Sequence, residues 1–150
     1  MKKSSETKEV IQHFSLQGVL PEGHTLAIDT NNLVAAIMIV EHGKPRMHKL
    51  ASFTDMEMLV FLPLISSHPY YAPYEDLYAS YTWGTTEKRD DAREILNAAQ
   101  EINEWDFAMR PLRNVLSRTR LKTRQLGIEI SSILETGYII MGLFERRRKG

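Results

Sequence analysis

The sequence predicts an α+β fold: a small N-terminal antiparallel sheet, a group of helices, and a C-terminal β-hairpin. Three observations carry that prediction. Between residues 24 and 52, the runs HTLAID, LVAAIMIVE and RMHKLA are rich in aliphatic and β-branched residues and are broken by turn residues. From Thr54 to about residue 125 the apolar spacing becomes helical, with capping residues at the starts. IEISSI and YIIMGL, joined by Leu134-Glu135-Thr136-Gly137, then return to strand spacing.

Bulk properties set the frame. The chain has 150 residues, 43% hydrophobic and 25% charged, which is enough for one domain with a real core. It has no cysteine, which excludes disulfide scaffolds and thiolate metal sites. Its formal net charge is zero, so a protein that coats nucleic acid indiscriminately is not expected, while a local basic patch balanced by acid elsewhere stays open. No apolar run reaches the length of a membrane span, and MKKSSETKEV lacks the apolar segment of a secretory signal, so a cytoplasmic protein without membrane contact is expected.

Residues 1–22 are polar and then mildly amphipathic; they are expected as an arm or a short helix, with residues 23–150 forming the folded domain. Asn31-Asn32 is placed at the first turn of the sheet as a pair that tolerates positive φ, and His42-Gly43-Lys44-Pro45 at the second. Thr54 is an N-cap with Glu57 completing a capping box, Pro63 is expected to kink or shorten that helix, and His68-Pro69 closes it. A second helix runs from about Tyr74 to Trp83 and ends at Gly84. Residues 86–103 are charged and Ala-rich, with Ile95, Leu96, Ala99 and Ile102 as an apolar stripe; they read as an additional helix. That stripe is expected either to pack on the domain's own core or to offer a surface to a partner. Trp105 and Phe107 are expected as core anchors.

Residues 110–124, RPLRNVLSRTRLKTR, carry six basic residues and no acidic one. At about 100° per residue, Leu112, Val115, Leu116, Thr119, Thr123 and Leu126 fall on one side. Arg110, Arg113, Asn114, Ser117, Leu121 and Arg124 fall on the other, flanked by Arg118 and Arg120. Pro111 reads as a first-turn proline and Gly127 as the residue that ends the helix. An apolar back with an Arg/Asn/Ser front suits docking on a core while facing a polyanion; charge alone is equally compatible with a solvated basic face.

Sheet, helix, helix, basic helix and hairpin in that order make a winged helix-turn-helix with an N-terminal sheet, three core helices and an extra helix before the basic one. Three segments resemble the OmpR/PhoB-type DNA-binding effector domains of bacterial response regulators: FTDMEMLVFLPLI the entry to that family's first helix, EDLYASYTWG its second, and VLSRTRLKTRQLGIEISSILETGYII its recognition helix and wing. The resemblance covers residues 24–141. It implies a sequence-specific, double-stranded DNA-binding transcriptional regulator whose recognition helix, about 110–125, lies in the major groove while the wing reaches the minor groove. It implies binding as head-to-tail pairs or a homodimer, with RNA polymerase as a partner of the loop before the recognition helix. The alternative is a winged-helix interaction module that has lost DNA binding.

The resemblance makes Arg110, Arg113, Asn114, Ser117, Arg118 and Arg120 the candidate DNA contacts. Arg forks onto guanine and Asn onto adenine, whereas Arg, Lys and Ser also hold phosphates. Lys122 and Arg124 are expected as phosphate contacts or plain surface, and Ser131, Ser132 and Thr136 as wing residues that bond phosphates or simply line a turn. Residues 146–149, all basic, are expected as a solvated end or a source of sequence-independent attraction. The departures from the family are specific. Residues 1–22 are too few for a phosphorylatable receiver domain, the helix at 86–103 is additional, and Leu134-Glu135 replaces a basic wing tip.

No catalytic residue, metal or cofactor is expected. His42 and His48 flank a turn without a third ligand, Ser66-Ser67-His68 has no third member, and no glycine-rich phosphate loop occurs.

Overall fold

A computed structural model describes residues 11–143. The N-terminal sheet has four antiparallel strands in the order β1-β2-β3-β4: β1 (Ile11–Phe14), β2 (His24–Asp29), β3 (Val34–Glu41) and β4 (Lys44–Ser52). Helices α1 (Asp55–Ser67), α2 (Tyr74–Trp83), α3 (Arg89–Glu101) and α4 (Trp105–Gln125) follow, with a 3-10 turn at Thr86–Lys88 ahead of α3. A second, three-stranded sheet closes the chain in the order β5-β7-β6, from β5 (Ala72–Pro73), β6 (Ile128–Ile133) and β7 (Gly137–Gly142). The α+β class is that read from the sequence, as is the order of the three long strands, the helices and the hairpin; the short strand β5, which makes the closing sheet three-stranded, was not expected.

Three expectations about the N-terminal part change. The sheet has one strand more than the three read from the sequence, because Ile11–Phe14 pairs with Leu26–Asp29 and belongs to neither a helix nor an arm. Leu16, Val19 and Leu20 beyond it sink into the core. Residues 1–10 of that segment lie outside the described residues, as do 146–149. At the first turn positive φ falls on Leu33 (58°) rather than on the asparagines. Asp29 instead accepts from the backbone N–H groups of Asn31 and Asn32, an Asx-type closure that leaves both in ordinary conformations.

Helix α1 starts as read. The Thr54 hydroxyl accepts from the Glu57 N–H (3.2 Å), and the Glu57 carboxylate accepts from the Thr54 N–H (2.9 Å). Pro63, expected to break this helix, lies buried inside it. Proline has no N–H, so the carbonyl four residues back, Leu59, lacks its helical partner. Ser80 on α2 supplies one: its hydroxyl donates to the Leu59 oxygen at 2.5 Å. A neighbouring helix has made good the lost bond, and α1 runs on to Ser67.

The core joins both sheets and all four helices, with Leu26, Ile28 and Ile37 from the large sheet, Phe61, Leu64 and Ile65 from α1, and Ile128, Ile130 and Ile140 from the hairpin. Phe53 stacks on Phe61 at 4.9 Å between ring centroids. The additional helix packs on the domain through Ala92 and Leu96, while Ile95 and Ile102 of the predicted stripe are exposed, Ile102 at 65%. The buried face of α3 is centred on Ala92 and Leu96, and Ala92 is not part of the predicted stripe. Arg89 reaches Asp76 (2.9 Å), and Arg93 reaches Glu75 (3.3 Å) at the start of α2 as well as Asp90 (3.1 Å).

The hairpin is tied to α2 through β5 and through the Tyr74 N–H, which donates to the Thr136 carbonyl at 3.2 Å. Gly137, read as the turn residue, is instead the first residue of β7, and the positive φ of the turn falls on Glu135 (59°). The demand for glycine at 137 is steric: a Cβ there would land on the Ala72 carbonyl and the Pro73 Cα of β5.

Candidate nucleic-acid interface

Helix α4 is longer than the basic stretch alone suggests. It begins at Trp105, five residues before Arg110, so Pro111 sits inside it rather than at its first turn. Its earlier start follows from packing. Trp105 meets Tyr74 edge-on at 5.2 Å, and Met109 and Leu112 are fully buried, extending the apolar face a full turn and more towards the N-terminus. Phe107, expected as a core anchor, points away from that face and is 67% exposed. Gly127, at φ 83°, follows the last turn as expected.

The division into two faces holds residue by residue. Leu112, Val115, Leu116, Thr119, Thr123 and Leu126 are all buried. The two threonines are satisfied locally, Thr119 by the Val115 carbonyl (2.8 Å) and Thr123 by the Arg120 carbonyl (3.1 Å). Arg110, Asn114, Ser117, Arg118, Leu121 and Arg124 are exposed, and Arg113, Arg120 and Lys122 are half-buried along the flanks. The helix is packed by α1, α2, α3 and β4, so its outer face is held on a rigid support.

Two carboxylates organise the basic side chains. Glu57 is 2% exposed and Glu129 1% exposed, and each lies beneath α4. Lys122 Nζ donates to Glu57 Oε1 at 2.5 Å, and Arg118 Nε stands 3.7 Å from Oε2. Arg124 forks onto Glu129, Nε to Oε1 and Nη2 to Oε2, both at 3.1 Å. Arg120 Nε donates to the same Oε1 at 3.4 Å, and the Ile130 N–H donates to it at 3.1 Å. Such charge-assisted and bidentate contacts fix geometry better than neutral ones.

The protonation states follow. Burial pushes the Glu57 carboxyl upward, but the Lys122 hydrogen bond, the Thr54 N–H and the charges of Lys122 and Arg118 together hold its pKa below the ordinary value. Glu129 behaves likewise: burial opposes ionisation, and Arg124, Arg120 and the Ile130 N–H outweigh it. Both are therefore anions at neutral pH. Two cations share each anion, so each cluster keeps a net positive charge on the outer face.

The N-terminal part of the helix is arranged differently. Arg113 donates to Asp106 at 2.7 Å and lies over the Trp105 ring at 5.2 Å, while Arg110 lies over the Phe107 ring at 5.5 Å. Asn114 and Ser117 sit between these groups and the clamped cations, with Leu121 further along the same exposed face.

The hairpin residues expected to bond phosphates, Ser131, Ser132 and Thr136, are differently placed. Ser131 is half-buried and directs its hydroxyl to the Met141 sulfur (3.2 Å), Thr136 donates to the Leu134 carbonyl (3.0 Å), and Ser132 is exposed. The tip itself is Leu134, 86% exposed, beside Glu135.

Sequence reasoning missed Glu57 and Glu129 as part of this site. Glu57 was assigned only to its cap. Strand alternation places Glu129 opposite Ile128 and Ile130, on the outer side of β6. It is buried there because Arg120 and Arg124 fold over it. An acidic residue within a strand five positions after an arginine, with a glycine turn between, was the available signal.

Among the described residues no group of three or more His, Asp or Glu side chains is placed to hold a metal, and no helix is long and apolar enough to cross a membrane. No family model, curated protein or solved structure matches the chain.

Proposed function

We propose that this chain is a winged helix-turn-helix protein of OmpR/PhoB type that binds double-stranded DNA sequence-specifically and regulates transcription. The observation that supports it most is α4: a rigidly packed helix whose outer face carries Arg110, Asn114, Ser117 and Arg118 with further cations on its flanks. In this reading α4 enters the major groove. Arg110, Arg113, Asn114 and Arg118 are the base-reading set. Arg120, Lys122 and Arg124, held on their carboxylates, face the backbone phosphates together with Ser117. The hairpin is the wing, with Ser132 and Thr136 nearest its tip. Glu135 at that tip repels phosphate, so most of the affinity comes from the helix. The chain acts in pairs on DNA, and the α3–α4 connection, with Ile102 and Phe107 exposed, is the surface turned to RNA polymerase or a second subunit.

Fluorescence anisotropy with random and selected duplexes at two salt concentrations tests this. Salt-sensitive binding is expected, with log K falling by about 0.9 per decade of salt for each phosphate neutralised. Arg113→Ala with Arg118→Ala lowers the affinity by about tenfold or more, with unfolding transitions near the parent's. No binding to any duplex at micromolar protein refutes the proposal. Undiminished binding by the double variant shows that the face was wrongly chosen.

A second reading, a winged-helix module that binds protein instead of DNA, is favoured by the apolar and acidic wing tip, Leu134 with Glu135. Sedimentation distinguishes it: self-association that persists in high salt, without duplex binding, supports this reading.

A further inference from the structure

A cavity of about 210 Å³ lies where the large sheet meets the C-terminal end of α4 and the hairpin. Its rim carries His24 from β2, His48 and Lys49 from β4, and Arg124 from the last turn of α4. Its apolar lining comes from Leu20, Ile37, Leu126 and Leu143, of which the first three are buried core residues. Among the described residues no carboxylate lines it. Of the acids near it, Glu41 is paired with Arg46 at 2.9 Å and Glu129 is shared by Arg120 and Arg124, while Glu22 adjoins the rim with its carbonyl oxygen 3.3 Å from His24 Nδ1.

We propose that this cavity binds a small organic carboxylate with an apolar body, and that Arg124 transmits its presence to α4. The argument is one of complementarity. Four nitrogen-bearing side chains suit an anion, and Lys and Arg bring fixed charge while the two rings add hydrogen-bonding nitrogens. His24 and His48 meet edge-on at 5.9 Å between centroids, so the two rings form one wall of the rim. The aliphatic side chains of Leu20, Ile37, Leu126 and Leu143 in the same lining favour an acid carrying a compact ring or branched chain over an inorganic ion. The volume is below the range of about 300–1,000 Å³ usual for drug-sized ligands, so the ligand is small.

The route to α4 is a shared guanidinium. Arg124 lines the cavity and forks onto Glu129, and Glu129 also holds Arg120 one turn back. An anion in the cavity competes with Glu129 for Arg124 and so changes how firmly Arg120 is held. The binding stands on the cavity alone; its effect on duplex affinity rests on the function proposed above.

The test uses benzoate as the probe carboxylate and inorganic phosphate as the control anion, followed by amide chemical shifts of the full chain. Benzoate is expected to saturate with Kd of about 1 mM or below, shifting Leu20, His48 and Gly127 together with Arg124 and Glu129. The double variant His48→Ala/Lys49→Glu, at exposed positions of β4, weakens binding by about tenfold or more. Shifts that stay linear to about ten times that concentration, or a variant that binds as well as the parent, overturn the site. Phosphate binding as tightly as benzoate overturns the apolar-bodied ligand. Duplex affinity measured with and without saturating benzoate is expected to differ by at least about threefold, roughly 0.6 kcal/mol. An unchanged duplex affinity overturns the coupling, whereas loss of duplex binding already in the benzoate-free sample counts against the DNA reading and leaves the site standing.

Discussion

The two halves of α4 orient their basic side chains by different physical means. In the N-terminal half, Arg110 and Arg113 lie over the rings of Phe107 and Trp105, and the one ion pair is to Asp106, itself largely exposed. In the C-terminal half, Arg118, Arg120, Lys122 and Arg124 converge in pairs on Glu57 and Glu129, both buried. An exposed pair contributes about 0–1 kcal/mol and is screened by salt. A cation on a buried carboxylate is held far more firmly, because that carboxylate has no water to fall back on. The first half can therefore rearrange to meet a ligand, while the second presents charges whose positions are set by the fold.

The largest expected effect is at Glu129. Replacing it with alanine leaves Arg120 and Arg124 without their anion and the Ile130 N–H without its acceptor. Arg120 and Arg124 are nearly half exposed and regain water, so the loss comes chiefly from the buried Ile130 N–H, and stability to urea is expected to fall by about 1–3 kcal/mol. A loss under about 0.5 kcal/mol would mean that the C-terminal half is no better anchored than the N-terminal half.

Acid comes next. Both buried glutamates have folded pKa values below the ordinary carboxylate value of 4.5. The stability they supply is complete above that pH and is lost as the pH falls through their lowered folded values. A plot of urea midpoint against pH should be level towards neutrality and drop below about pH 4.5. The double variant Glu57→Gln/Glu129→Gln should start lower and drop less steeply. A parent curve with no acid limb would contradict the assignment of both groups as ionised pairs.

The smallest effect is at Asp106. Its pair with Arg113 is short, but the acid is exposed, so Asp106→Ala should change stability by less than about 0.5 kcal/mol. In the DNA reading it raises duplex affinity, because it removes a negative charge and frees Arg113. Weaker duplex binding would show that Asp106 positions Arg113 rather than competing for it.

What could be read from the sequence follows from which interactions are local. The two faces of α4 were legible because a single period of 3.6 residues sorts Leu112, Val115, Leu116, Thr119, Thr123 and Leu126 from the arginines. The Thr54–Glu57 cap was legible because it closes within one turn. The failures all involve partners distant in the chain. Pro63 continues a helix because Ser80 lies against it. The strand at Ile11–Phe14 exists because β2 has a free edge. Ile95 and Ile102 are exposed because α3 packs on α2 and α4 through Ala92 and Leu96 instead. Glu57 and Glu129 were invisible as a clamp because a capping position and a strand position each explained them sufficiently.

The contact between Gly137 and β5 has a consequence for the hairpin as a measuring device. A Cβ at position 137 would land on the Ala72 carbonyl and the Pro73 Cα, so the observed pairing of β7 with β5 requires glycine there. The pairing that sets the height of the Leu134-Glu135 tip above α2 thereby depends on a single missing methyl group. Whatever surface meets α4 and the hairpin together meets them at a spacing the protein does not adjust.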